Sequence, residues 1–273
     1  MLINSYQKEI GKSVLFQFQW KFLVFTLGIL LSTIPNKVWA QASNLPKLPG
    51  IDLLDEHRHL VDPTQYPWQI IGRVQTELGE KCTGFLIDSR VAVTAAHCLW
   101  LNKTRNFVQP TSIHFLLQYH QEKFVTDVRV KRFIISPSYN PLRDYRKTYL
   151  NAGVDRAYLL LDRPVTPKGG FLPIVKELPL VGTPIMLGGY EQDRMEVLYA
   201  DQSCSINAYS QDYSNNYILL HNCQATYGSS GAPILAKDDQ GKWSIIGMQV
   251  AAHFERPGGL GATVATFGQK SSK

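Results

Sequence analysis

Short runs of β-branched and aromatic residues, separated by turn residues, recur along the chain from residue 67 onward. Runs of this length between Gly, Pro and Asp are typical of β-strands. After residue 41 no segment carries a long apolar stripe at helical spacing, which excludes a helical bundle. Strands that recur every ~8–12 residues predict an all-β protein of barrels or sandwiches. The runs form two halves that meet near residues 163–172, and they span residues 69–74, 85–87, 91–94, 112–117, 125–135 and 157–161, then 184–187, 196–199, 216–220, 233–235, 243–250 and 262–267.

The composition supports a folded chain. Of its 273 residues 44% are apolar and 18% are charged, enough apolar material for one large domain or two small ones. The formal net charge is +6, but residues 1–40 hold four lysines against one glutamate, which leaves +3 for residues 41–273. This excess is too small to indicate a nucleic-acid partner.

The first forty residues have the layout of a secretory signal peptide. Lys8, Lys12 and Lys21 precede a charge-free apolar run of 13 residues from Phe22 to Ile34, and the small-residue end follows at Ala40. A membrane-spanning helix needs ~20 apolar residues, so the run is short for a permanent anchor. We therefore predict cleavage after Ala40 and a secreted or periplasmic protein with no membrane association afterwards. An uncleaved anchor is the alternative.

Export changes how the cysteines are interpreted. The mature chain keeps four of them, an even number, and oxidising compartments favour disulfides. Four cysteines allow three connectivities, and we favour the two local pairs because they close the shortest loops: Cys82–Cys98 and Cys204–Cys223. The chain has no Cys-x-x-Cys pair and no His-Glu-x-x-His motif, so we predict no metal site and no cofactor.

Residues 41–66 show no sustained periodicity of 2 or 3.6. We interpret them as an irregular leader or pro-segment that precedes the strand-rich part of the chain.

Three separate segments carry residues suited to chemistry. His97 ends a β-branched run that turns into small residues, and a cysteine follows it directly. Asp155 stands at the entrance to an apolar strand, where a partly buried carboxylate needs a hydrogen-bonding partner. Ser230 lies in a tight turn between Gly228 and Gly231.

On these segments the chain resembles the trypsin-like (chymotrypsin-fold) serine peptidases, especially the bacterial secreted branch near the glutamyl endopeptidases. The matching residues are Pro67-Trp68, Cys82-Thr-Gly84, Thr94-Ala-Ala-His97-Cys98, Asp155 with Ala157 and Leu159, and Gly228-Ser-Ser230-Gly-Ala-Pro233. The resemblance covers roughly residues 60–268. It implies two antiparallel six-stranded β-barrels with the active site in the cleft between them. Residues 67–165 would form the first barrel, with the His and Asp, and residues 166–273 the second, with the Ser.

The resemblance also implies a role for each residue. His97 would be the general base that activates the Ser230 hydroxyl, and Asp155 would orient the imidazole. The backbone N–H groups of Gly228 and Ser230 would form the oxyanion hole. Asp144 and Asp162 compete with Asp155 for the third role, but each stands in a turn-like surface context.

Specificity residues depart from the family pattern. Animal trypsins have an aspartate before the nucleophile that pairs with the amino terminus released on activation, and this chain has Ser229 there. The pocket base, aspartate in enzymes that cut after Arg or Lys, is Gln224. The position where glutamyl endopeptidases bind the substrate carboxylate through a histidine is Gln249. A pocket that accepts neutral or weakly polar side chains is therefore predicted, lined by Gln224, Ala225, Gln249, Ala251 and Ala252.

The leading hypothesis is a secreted serine endopeptidase, a hydrolase that forms an acyl-enzyme on a protein or peptide substrate and is expected to be a monomer. Two alternatives stay open. A non-catalytic homologue would use the same double barrel as a binding module, because a fold does not determine function. An esterase would use the same catalytic triad on a different acyl group.

Overall fold

The computed structural model describes residues 48–142 and 151–264. The predicted signal peptide and Asp144 lie outside the described residues. Within the two described ranges no helix is long and apolar enough to cross a membrane.

These two ranges form fifteen strands and four short 3-10 helices. The strands are β1 (Arg58–Leu60), β2 (Ile71–Thr76), β3 (Lys81–Asp88), β4 (Val91–Thr94), β5 (Trp100–Leu101), β6 (Asn106–Phe107), β7 (Ile113–Leu117), β8 (Thr126–Ile135), β9 (Ala157–Leu161), β10 (Pro184–Gly189), β11 (Tyr199–Gln211), β12 (Tyr217–His221), β13 (Pro233–Lys237), β14 (Trp243–Ala252) and β15 (Gly259–Thr263). The 3-10 helices are Trp68–Ile70, Ala96–Leu99, Pro110–Ser112 and Ala152–Val154.

The first half forms a closed antiparallel barrel of six strands in the order β2-β3-β4-β9-β8-β7. Side chains alternate between its two faces, as the period of two in a strand requires. In β8, for example, Val128 and Val130 are fully buried, whereas Arg129 and Lys131 are exposed. The apolar-in, charged-out pattern of the sequence therefore builds this barrel's core.

The second half closes in the order β11-β10-β13-β14-β15-β12, because β12 pairs back onto β11. The predicted fold class, two six-stranded antiparallel barrels, is thus confirmed. Buried residues of both barrels, among them Phe85 and Met248, belong to one continuous apolar cluster. The two barrels therefore share one part of the core, and a second apolar cluster, which includes Ile185 and Ile234, belongs to the second barrel.

Two strands of the second sheet differ from the sequence prediction, and the short pair β5–β6 also lies outside the predicted runs. Strand β11 runs to Gln211, although the predicted run ends at Tyr199. The rest of the strand is polar and half-exposed, so its composition does not indicate a strand. Its pairing with β10 on one side and β12 on the other stabilises it. The other is β1, which lies in the segment expected to be irregular. It extends the second sheet by pairing with β11, with Arg58 opposite Asp201.

Both predicted disulfides are confirmed. Cys82 on β3 is bonded to Cys98 in the 3-10 helix Ala96–Leu99, and Cys204 on β11 is bonded to Cys223, just after β12. Each bridge ties a strand to one of the segments singled out from the sequence.

Candidate active site

His97 and Asp155 meet because their segments flank a strand pair. β4 and β9 are antiparallel with Thr94 opposite Ala157, so the residues just beyond these strand ends are neighbours. Asp155 is fully buried. Its Oδ2 lies 2.7 Å from His97 Nδ1, and its Oδ1 accepts the backbone N–H of His97 at 2.9 Å. The carboxylate therefore holds both the ring and the backbone of one histidine.

The turn that carries Ser230 is attached to the first barrel through Thr83. The Thr83 hydroxyl donates to the Gly228 carbonyl at 2.8 Å, and the Thr83 N–H donates to the Ser230 carbonyl at 3.0 Å. The Ser230 hydroxyl itself donates to the Val250 carbonyl at 3.4 Å. A serine of the second barrel is thus positioned by a strand of the first.

Glycine is required at two places in this turn. Gly228 and Gly231 have φ values of +90° and +86°, in the left-handed region that side chains disfavour. A Cβ on Gly228 would overlap the Tyr190 carbonyl, and one on Gly231 would overlap the Thr83 carbonyl. The backbone is packed too closely on both sides for any side chain.

The amides of the turn fall into two groups. The N–H groups of Ser229 and Gly231 donate to carbonyls of Thr226 and Gln249 at 3.1 and 2.8 Å. Within the described ranges no hydrogen bond engages the N–H of Gly228 or of Ser230. Two backbone donors are therefore left for a ligand beside the Ser230 hydroxyl.

A cleft of ≈ 540 Å³ contains these groups. His97, Gly228 and Ser230 line it, together with Ala251 and Ala252 of the predicted pocket. Its volume falls within the range of ~300–1,000 Å³ common for ligand sites in proteins.

Three comparisons relate this arrangement to known proteins. The family model described as Trypsin matches residues 57–266. The chain belongs to the trypsin family. Its likeness to "Serine protease filzig" of Drosophila melanogaster is 34% identity over 122 residues, which is 40% of this chain. The chain spans 6% of the length of that curated relative.

A solved structure shares the fold of this trypsin-family chain. It is titled "Structure of Glu endopeptidase in complex with MPD", and the two superpose with a TM-score of 0.62 at 21% identity. The match covers 78% of this chain and 94% of that one. The membership in a bacterial branch stays a prediction.

In this trypsin-family domain the predicted pocket residues separate into two sets. Ala251 and Ala252 line the cleft, whereas Gln224, Ala225 and Gln249 are buried and are not among its lining residues. The Gln224 side chain donates to the Asp55 carbonyl at 2.5 Å, in the leader. The amide at the expected pocket base is therefore engaged by another part of the chain.

Gly50 is a residue that sequence reasoning missed. Its N–H donates to the His253 carbonyl at 2.6 Å, and its own carbonyl accepts the N–H groups of Gly258 and Ala225 at 3.2 and 3.3 Å. A Cβ at Gly50 would lie 2.8 Å from the Ala252 Cβ. The leader backbone is thus inserted between segments expected to form the pocket. A Pro-Gly pair in an aperiodic segment signals a turn and says nothing about such a distant partner.

One three-residue group in the described ranges has the spacing of metal ligands, namely Cys82, His97 and Cys98. Its two sulfur atoms are joined in a disulfide, so the group offers no thiolate, the form of cysteine that binds metal ions.

His221 is a buried neutral histidine behind the predicted pocket. Its Nδ1 accepts the N–H of Cys223 at 3.1 Å, which puts the ring proton on Nε2, 2.7 Å from the Gln249 side-chain oxygen. Burial lowers the pKa of His221 to about 4. A second proton would have to enter at Nδ1, directly against the Cys223 N–H.

This histidine is expected to make the fold sensitive to acid. Between pH ~6.5 and ~4 the unfolded state binds a proton at His221 and the folded state does not, so stability falls as the pH falls. From pH 7.5 to pH 5 the loss from this group is about 2 kcal/mol. Urea unfolding at both pH values measures it. His221→Gln should lose that part of the pH dependence, and His59→Gln, at an exposed imidazole, should keep it. An unchanged dependence in His221→Gln contradicts the prediction.

Proposed function

We propose that this chain is a secreted serine endopeptidase that cuts peptide bonds through an acyl-enzyme, with Ser230, His97 and Asp155 as its catalytic triad. The observation that carries the proposal is the doubly bonded His97–Asp155 pair, whose histidine lines a cleft together with Ser230 and Gly228, the residues whose backbone N–H groups have no acceptor in the described ranges. The disulfides and the signal-like first forty residues support export.

Acylation would begin when Ser230 Oγ attacks the carbonyl carbon of the scissile peptide. Its proton passes to His97 Nε2, which requires the hydroxyl to give up its bond to the Val250 carbonyl. Asp155, an acceptor at both oxygens, keeps the other ring proton on Nδ1 and stabilises the imidazolium. The new oxyanion accepts hydrogen bonds from the backbone N–H groups of Gly228 and Ser230.

The intermediate collapses when His97 gives its proton to the leaving amine. The C–N bond breaks, and the acyl group remains on Ser230 as an ester. Water then repeats the sequence with His97 as its base, so that the acid product and the free hydroxyl are restored.

Reaction with a fluorophosphonate probe tests this function. The mature chain is expected to bind one probe covalently, and Ser230→Ala should abolish the labelling. Ser229→Ala is the matched control, because the buried Ser229 hydroxyl donates to the Thr226 carbonyl at 2.6 Å and has no catalytic part in the proposal. An unlabelled wild-type protein would favour the binding module. Labelling with turnover of a short acyl ester, and none of a protein, would favour the esterase.

We also infer that the primary pocket is shallow and accepts small neutral side chains. Ala251 and Ala252 are the predicted pocket residues that line the cleft, and Gly50 lies between the expected walls of the pocket. A peptide-library profile should be dominated by small uncharged residues at the cleaved position. A profile dominated by Arg, Lys or Glu would refute the inference.

The same geometry predicts the effect of one pocket variant. Gln224→Asp should not create a preference for Arg or Lys, because side chain 224 faces the Asp55 carbonyl and does not line the cleft. A carboxylate facing that oxygen should instead lower stability. The library profile and the urea midpoint of the variant are measured together.

A further inference from the structure

The turn that carries the oxyanion donors lacks the acidic residue that anchors it in animal trypsins. Ser229 stands at that position, and among the described residues its hydroxyl bonds locally, to the Thr226 carbonyl. It carries no charge, so it cannot form an ion pair with an amino terminus. Contacts other than that ion pair therefore hold this turn, among them the Gly231 N–H bond to the Gln249 carbonyl of the second barrel.

Arg58, in the leader strand β1, makes a buried ion-pair network next to the turn. Its side chain has no solvent exposure. It pairs with Glu191, with both oxygens of Asp193 at 3.1 and 2.8 Å, and with Glu56 at 2.8 Å. The planar guanidinium of arginine suits such bidentate contacts with carboxylates.

Glu191 connects this network to the turn. Its side chain is 1% exposed, and the same oxygen that meets Arg58 lies 3.4 Å from the Thr226 N–H, which donates to it. The next residue, Gln192, donates its N–H to the Tyr227 carbonyl at 2.6 Å. The Tyr190 carbonyl closes the space above Gly228. Residues 190–192 thus contact residues 226–228 at every step.

Charge balance at Glu191 depends on Arg58. Burial raises the pKa of the Glu191 carboxyl, and the charge of Arg58 opposes that shift. A second cation of this cluster, Arg194, pairs with Glu56 at 3.0 Å and with Asp193 at 3.6 Å, and its described ion pairs do not include Glu191. Without Arg58 only the Thr226 N–H would oppose burial and the charge of Asp193, so the Glu191 carboxyl would take up a proton and lose the charge that strengthens its hydrogen bond with the Thr226 N–H.

We propose that Arg58 is a positioning residue for the oxyanion hole, a cation built into the leader that holds Glu191 and through it the turn from Thr226 to Ser230. The proposal rests on the proposed function. It makes the leader a permanent part of the active enzyme from Arg58 onward, so that no new amino terminus has to be inserted to order the site.

Four variants of the full chain test the proposal: Arg58→Met, Glu191→Gln, the double variant and Arg194→Met. Arg58→Met is expected to lower kcat per titrated active site by about 10- to 100-fold with KM within about twofold, because oxyanion contacts act in the transition state. Arg194→Met, a cation of the same cluster that is 37% exposed, should stay within about threefold of wild type. Glu191→Gln should lower kcat to a similar extent, and the double variant should be about as slow as either single variant, because each change alone already leaves a neutral group at position 191.

Thermal unfolding of each variant separates positioning from general stability. A lower melting temperature with unchanged kcat per titrated site in Arg58→Met would overturn the proposal. A double variant whose loss of kcat equals the product of the two single losses would also overturn it, because the two residues would then act independently. If Arg58→Met does not fold, Arg58→Lys takes its place. It should lower kcat without raising KM, because one ammonium cannot bridge Glu191 and Asp193 as the guanidinium does. An unchanged kcat in Arg58→Lys would equally overturn it.

Hydrogen exchange gives a readout that does not depend on activity. In Arg58→Met, but not in Arg194→Met, peptides covering residues 224–231 should exchange faster than in wild type. If wild type neither reacts with the fluorophosphonate nor turns over substrate, the proposed function fails. Hydrogen exchange would still test whether Arg58 holds the turn from Thr226 to Ser230. Unchanged exchange in Arg58→Met would overturn the proposal by itself.

Discussion

Asp155→Asn is expected to lower turnover of a peptide substrate by about 10⁴-fold, as removal of the orienting carboxylate does in a known triad. Asp155 accepts two hydrogen bonds from one residue, the backbone N–H and the ring Nδ1–H of His97. An amide has only one oxygen. When that oxygen accepts the backbone N–H, the NH₂ group faces Nδ1 and forces the ring proton to Nε2. Nε2 is the atom that has to be unprotonated to accept the Ser230 proton.

Two further measurements make this prediction specific. The rate should fall in kcat, and the melting temperature should change little, because the amide matches the carboxylate in shape. Asp162→Asn, at the exposed end of β9, is the matched control and should keep wild-type turnover. Activity of Asp155→Asn within about tenfold of wild type would remove Asp155 from the triad.

Gly228→Ala is expected to lower kcat by about 10²–10³-fold, the cost of losing one oxyanion donor. Gly228 has φ +90°, and a Cβ there would overlap the Tyr190 carbonyl and lie 3.1 Å from the Gln192 N. The peptide has to rotate or shift to relieve the contact. Either movement takes the Gly228 N–H away from the position that the oxyanion needs.

Gly182→Ala provides the matched control for backbone strain alone. Gly182 has φ +86°, but a Cβ there meets nothing within 4 Å. Both variants pay the left-handed strain of ~1–3 kcal/mol in stability, and only Gly228→Ala should also lose kcat. Steady-state kinetics with active-site titration and urea unfolding separate the two effects. Equal kcat values in the two variants would contradict an oxyanion role for Gly228.

Local pattern was sufficient for much of the framework. The six runs of the first half all became barrel strands, because alternation of apolar and charged residues is preserved by the pleat, as Val128 to Lys131 show. Both disulfides followed from chain proximity. Strand β11 was missed over most of its length, since a polar strand gets its stability from the ladders beside it. The β-propensity of single residues does not include the stability that pairing with neighbouring strands provides.

The pocket marks where pattern reasoning ended. Gln224 and Gln249 were assigned to the lining by alignment with a family, but their side chains bond to Asp55 and His221. Asp55 lies in the leader, far from Gln224 in sequence. Neither the Pro-Gly pair nor the charged run of the leader indicates which distant segment the leader will contact. Tertiary hydrogen bonds alone turned these two amides away from the cleft lining.

Strand periodicity and cysteine proximity predicted, from sequence alone, an all-β protein with two local disulfides, because these signals act over a few neighbouring residues. The family resemblance carried by three short motifs added the double barrel and the residues proposed for its chemistry. Tertiary structure alone decided that Gly50 enters the expected pocket and that Arg58 is buried against Glu191. Those contacts join residues more than a hundred positions apart. Their free energy comes from backbone hydrogen bonds, burial and charge pairing that exist only once the leader has packed against the second barrel.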